Sequence, residues 1–158
     1  MPIYTGYTLL FVVILLGEAG FPLFAPAELL LVSAGVAAAH GLASLADLAA
    51  IALLADLLGG IALFAILRHG SRFTGRSRRL AALDLRARGA ARRFGGASLP
   101  RIALGRCLPL LRVPSTFCAS LAGLRPAAYL GASFAGGAVW ITIFLGGGYL
   151  LAGVRLGL

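Results

Sequence analysis

GRCLPLLRVPSTFCASLAG, from Gly105 to Gly123, sets two arginines and two prolines in a segment otherwise apolar enough for lipid. An arginine at membrane depth costs about 2.5–3.5 kcal/mol on insertion scales, so Arg106 and Arg112 are expected to face a cavity or a charged partner. Pro109 and Pro114 each remove a backbone donor and break a straight helix. Broken backbone survives in a bilayer only where protein or a wet cavity receives it. The stretch therefore predicts a helical hairpin over 102–124 that dips into the membrane and returns, with its arginines turned to a polar pocket. Two buried positive charges suit an anion.

The rest of the composition places this hairpin in a membrane. Of 158 residues, 60% are hydrophobic, and the mean hydropathy of +0.97 lies outside the range of soluble domains. One all-α membrane domain over 1–158 is the natural reading. The net charge is +9 and every basic residue is an arginine. Ten of these lie between Arg68 and Arg101 against the single acid Asp84, in a segment flanked by membrane-like sequence. That placement favours anionic lipid headgroups over nucleic acid, and the positive-inside rule makes the segment cytoplasmic. Arg68, Arg72, Arg76 and Arg79 recur at helical spacing, so part of 68–101 is expected to lie as an amphipathic helix on the leaflet. Cys107 and Cys118 lack any metal or disulfide spacing and read as packing residues, so no metal or cofactor is expected. The first residues lack a basic n-region and a small-residue cleavage site, so the N-terminus is expected to remain in the mature chain.

Working outward, Ile3 to Leu16 is an uncharged apolar run (3–16) of about 21 Å as a helix, short of the ~30 Å hydrocarbon core. GEAGFPLFAPAELLLVSAG, Gly17 to Gly35, is a second broken and charged apolar stretch, with Glu18 and Glu28 bracketing Pro22 and Pro26. It predicts a first re-entrant hairpin over 17–40, broken at Pro26. Ser44 is placed to cap a helix with Asp47 in its first turn. That helix, 45–67, is long enough for one crossing, and Gly59-Gly60 would let a neighbour approach closely. A second uncharged crossing follows at 126–154, with Trp140 and Tyr149 as the obvious interfacial anchors and a pocket-facing role as their alternative.

A shift of 88 positions aligns the two hairpins: Gly17 meets Gly105, Pro26 meets Pro114, Ala34-Gly35 meets Ala122-Gly123, and Gly59-Gly60 meets Gly147-Gly148. The same shift sets Glu18 opposite Arg106. Each unit is a hairpin that enters and leaves by one face, followed by one crossing, so the second copy must be inverted. Inverted repeats with broken helices meeting near the midplane are the architecture of many secondary transporters.

These residues resemble the DedA family of bacterial inner-membrane proteins, also called the SNARE-associated or VTT-domain family. Glu18 with Pro26-Ala27-Glu28 resembles its acidic first hairpin. Phe94-Gly95-Gly96, Gly105-Arg106, Pro109, Arg112, Ala122-Gly123, Gly137 and Trp140 resemble its most specific block. Two departures stand out: Phe64-Ala65-Ile66-Leu67-Arg68 lacks the glycine of the family's motif after the first crossing, and the usual C-terminal extension is missing. The resemblance implies a multi-pass protein of the bacterial inner membrane that returns polyprenyl phosphate carrier lipid, chiefly undecaprenyl phosphate, across the membrane, coupled to the proton or sodium gradient. It leaves a homo-oligomer open.

On that reading Arg106 and Arg112 bind the lipid phosphate, because guanidinium stays charged at depth and meets phosphate oxygens with paired donors. Ser115 and Thr116 add hydroxyls beside the amides of a half-helix starting near Pro114. Glu18, Glu28 and Asp56 are the candidate proton carriers, although a lone acid such as Asp56 equally suits a structural bond between helices. A proton-coupled exporter or ion transporter for a small solute would use the same acids and the same repeat. An enzyme acting on lipid phosphates is disfavoured, since no histidine stands near Arg106 and Arg112 and no paired aspartates suggest a metal.

Overall fold

Runs of leucine and alanine broken by glycine and proline give helices of unequal length, and the computed structural model, which describes residues 2–21, 27–74 and 98–156, is helical throughout them. The elements are α1 (Pro2–Glu18), α2 (Ala27–Ala39), α3 (Leu45–Thr74), α4 (Leu99–Cys107), a 3₁₀ turn (Pro109–Leu111), α5 (Arg112–Leu121), α6 (Pro126–Ile141), a π-turn (Thr142–Gly146) and α7 (Gly147–Leu156). Two stretches are long and apolar enough to cross a bilayer: Leu45–His69, with a mean hydropathy of 2.4, and Pro126–Val154, with 1.7. The outer faces of these stretches carry Leu54, Leu58, Ile66, Phe134, Ile143 and Leu150, all exposed. Lipid covers such a surface at no cost, whereas water does not.

Several boundaries differ from those read in the sequence. α1 runs on through Gly17 and Glu18, so Glu18 closes the first helix instead of opening a hairpin. α3 continues beyond Leu67 to Thr74, into the arginine-rich segment. Residues 75–97 of that segment, where the amphipathic helix is expected, lie outside the described residues, as does the break expected at Pro26. Pro109 stands where expected, at the first position of the 3₁₀ turn after the extended Leu108 (φ −101°, ψ 123°). Pro114 does not break anything: it sits in the first turn of α5, where a missing N–H would have had no intrahelical partner. The Ser44 cap forms, with Oγ accepting the Asp47 amide at 3.3 Å.

α1 lies parallel to α3, since Tyr7 meets Ser44 near their starts and Leu15 and Glu18 meet Gly59 further on. α6 runs antiparallel to α3, because Gly137 faces Asp56 while Tyr129 faces Gly60. α5 is parallel to α3, with Arg112 at Asp56 and Ser120 at Phe64. Exchanging α1 with α4, α2 with α5, and α3 with α6–α7 preserves the main packing partners: α1 on α3 answers α4 on α6, and α2 on α7 answers α5 on α3. The strict 88-residue register does not carry through. Gly35 is inside α2, bare against the backbone of Leu145, whereas Gly123 ends α5 at φ +73° and is matched in role by Gly41, φ +72°, at the end of α2.

Candidate functional site

Close approach of backbones brings four charges together. A Cβ on Gly59 would lie 2.5 Å from the Leu15 carbonyl and 2.7 Å from Glu18 Cβ, so only glycine there lets the end of α1 seat Glu18 against α3. Gly136 does the same for α4, where a Cβ would lie 2.5 Å from the Ala103 carbonyl and 2.8 Å from Arg106 Cβ. Glu18 and Arg106 thus occupy like positions on α1 and α4, each held by a glycine of the neighbouring crossing. Asp56 comes from α3, near the middle of the Leu45–His69 stretch, and Arg112 opens α5.

All four are sealed from the surface: Arg106 and Asp56 are 0% exposed, Arg112 3% and Glu18 7%. Arg106 Nη2 donates to Glu18 Oε2 (3.0 Å) and Asp56 Oδ1 (2.7 Å), while its Nη1 donates to Thr116 Oγ1 (3.1 Å) and the Tyr129 hydroxyl (3.0 Å). Arg112 Nε donates to Glu18 Oε1, its Nη2 to Asp56 Oδ1, and its Nη1 to the Arg106 carbonyl (3.2 Å). That last bond gives the Arg106 carbonyl, near the end of α4, a donor from the arginine that opens α5. The Arg112 guanidinium also lies 3.8 Å above the Trp140 ring, a desolvated cation–π contact. Phe64 stacks on Tyr129 at 4.5 Å and fixes the phenol.

The quartet is formally neutral, two acids against two arginines, which is the condition under which buried charge is tolerated. It is not saturated. Among the described residues Asp56 Oδ2, Arg106 Nε, Ser133 Oγ and Trp140 Nε1 are buried with no protein partner. Ser133, Gly137 and Trp140 recur a turn apart on α6, and Gly137 presents bare backbone to Asp56 Oδ2. The site therefore keeps donors and an acceptor in reserve for water or a ligand.

Of the residues singled out in the sequence, Glu18, Asp56, Arg106, Arg112 and Thr116 meet here. Ser115 lies alongside, its hydroxyl given to the Arg112 carbonyl at 2.7 Å. Glu28, half-buried in the first turn of α2, makes none of these contacts. Trp140, at 1% exposure, takes the pocket-facing role of its two alternatives and forms an inner wall of the site. Tyr129, not singled out in the sequence, accepts from Arg106. Its signal was only its position one turn into the helix after Pro126, facing the glycine pair of α3.

Two membrane-length helices around a sealed set of opposite charges define a helical membrane protein with an intramembrane polar site. The VTT domain matches residues 25–150, and the chain belongs to that family, the SNARE-associated or DedA family of membrane transporters. No curated protein and no solved structure is significantly similar to it.

Proposed function

We propose that the chain is a flippase for polyprenyl phosphate carrier lipid, undecaprenyl phosphate being the expected substrate, driven by a proton or sodium gradient. The observation that carries this is the pair Arg106 and Arg112, buried beside the middle of a membrane span with their planar donors occupied by carboxylates. A phosphate monoester offers the same oxygens in the same geometry and competes for those donors. Glu18 and Asp56 then act as placeholders that the phosphate displaces. Binding of the coupling ion at the released carboxylates then ties substrate entry to the gradient.

An inverted repeat of re-entrant hairpins supplies the motion. α1, at 17 residues, spans about 25 Å and ends at the level of Gly59, inside the membrane, and α2 leads the chain back to the start of α3. Equivalent residues of two halves can touch only beside the axis relating them, and Glu18 and Arg106 are in direct contact. Rocking of one half on the other would pass the phosphate between leaflets, with the arginine-rich segment cytoplasmic and lying on anionic headgroups.

Equilibrium binding to the purified chain tests the head site. Undecaprenyl phosphate should bind, the uncharged polyprenol should not, and Arg112→Gln should weaken the phosphate lipid by more than about tenfold, a loss of over ~1.4 kcal/mol. Equal binding of phosphate and alcohol would contradict the assignment.

A further inference from the structure

Three buried hydrogen-bond donors around the quartet, Arg106 Nε, Ser133 Oγ and Trp140 Nε1, have no protein partner among the described residues. A buried donor left unpaired costs free energy, and a group of them in one place calls for a use. Ser133 and Trp140 stand on one face of α6, and Arg106 lies against that face. A Cβ on Gly136 would lie 2.8 Å from Arg106 Cβ, while Arg106 Nη1 reaches the Tyr129 hydroxyl at 3.0 Å. The arginine therefore extends along α6 past Ser133, which is 0% exposed. Trp140 leans back toward Gly137, as helical side chains do, and carries the Arg112 guanidinium 3.8 Å above its ring. Gly137 in turn faces Asp56 Oδ2.

The chemistry of the unused groups narrows what they meet. Nε and Nη2 form one edge of the Arg106 guanidinium; Nη2 holds Glu18 and Asp56, and Nε holds nothing, so this edge is half used. The two carboxylates otherwise occupy Arg112 Nε and Nη2. Against the three unused donors stands one unused acceptor, Asp56 Oδ2, a balance that suits an anion rich in oxygen and not a cation. A phosphate monoester carries one more free oxygen than the phosphodiester of an ordinary phospholipid. That extra oxygen is what the donors along α6 can take once the carboxylates have yielded the arginines.

We infer that Ser133 and Trp140, with Arg106 Nε, complete the phosphate seat and make it select a monoester over the phosphodiesters of the surrounding bilayer. The inference rests on the transport reading and deepens it by assigning the headgroup selectivity to α6. A site with buried donors rejects an analogue that leaves them unpaired. Inorganic phosphate is the other source of the same chemistry, and the test separates it from the lipid.

The purified full chain is titrated with a polyprenyl phosphate and with the methyl ester of the same lipid, a diester on an identical tail, and inorganic phosphate is added as competitor. The variants are Ser133→Ala and Trp140→Phe, neither of which changes the charge of the site; thermal unfolding verifies that each is folded. Ser133→Ala deletes a hydroxyl without a protein partner, so its stability should equal or exceed that of the wild-type chain. The wild-type chain should prefer the monoester by about tenfold or more, and each variant should cut that preference to within about threefold by losing monoester affinity alone. Equal binding of monoester and diester by the wild-type chain overturns the inference, and so does a preference that survives in folded Ser133→Ala and Trp140→Phe. Displacement of the lipid by an equimolar amount of inorganic phosphate overturns it as well, by assigning the seat to the free ion. Failure of the wild-type chain to bind either lipid would instead overturn the transport reading.

Discussion

Arg106 makes four side-chain hydrogen bonds to groups on four other elements, α1, α3, α5 and α6. Removing one partner of a buried ion pair leaves the other uncompensated, at about 3–5 kcal/mol. Arg106→Met and Asp56→Leu should each lower unfolding stability by about that much, while the double variant should lose distinctly less than the sum, as measured by denaturant unfolding in micelles. Strict additivity would mean that the two groups do not interact. Tyr129→Phe removes one acceptor of Arg106 and should cost about 1 kcal/mol in the same assay. The four charges were legible in the sequence because a charge in an apolar stretch is costly wherever it points. Tyr129 and Trp140 were not, because an aromatic ring satisfies lipid and protein interior equally, and only the neighbour across the helix interface decides between them. Glu28 was read as part of the site on the same charge argument, yet it makes none of the quartet's contacts.

At the scale of elements, glycine backbones decide which helices touch. Gly59→Ala would press a Cβ against the Leu15 carbonyl and Glu18 Cβ. It should destabilise by about 1–3 kcal/mol and weaken phosphate-lipid binding, because Glu18 moves with the end of α1. Gly6→Ala has nothing within 4 Å and should be neutral in both measurements. The pairing of Gly59-Gly60 with a close helix contact was readable from residue size alone. The choice between the two prolines of the second hairpin was not: Pro109 follows an extended residue and marks the break, whereas Pro114 falls in a first turn that accommodates proline freely. The π-turn at Thr142–Gly146, between Trp140 of the charged site and the α7 backbone that packs on Gly35, left no sequence signal apart from the glycines that follow it.

For the molecule as a whole, the preserved exchange of packing partners between the halves has a topological consequence. If the repeat is inverted, Leu42 after the first hairpin and Arg125 after the second lie on opposite faces of the membrane. In a background with Cys107 and Cys118 replaced by serine, Leu42→Cys should react with an impermeant thiol reagent only from outside the cell and Arg125→Cys only from inside. Reaction of both from one face would exclude the inversion. The 88-residue match was legible in the sequence, and the Glu18 and Arg106 it set opposite each other are in direct contact. A strict register was not, since α2 has 13 residues and α5 has 10, which puts Gly41 and Gly123 out of step while the helix pairings stay matched. The most direct measurement is leaflet exchange of labelled undecaprenyl phosphate in liposomes holding the purified chain under an imposed proton or sodium gradient. The wild-type chain should move the lipid and the well-folded Arg112→Gln chain should not; a wild-type chain that carries a small solute or cation while the lipid stays in its leaflet would contradict the role given to the buried arginines.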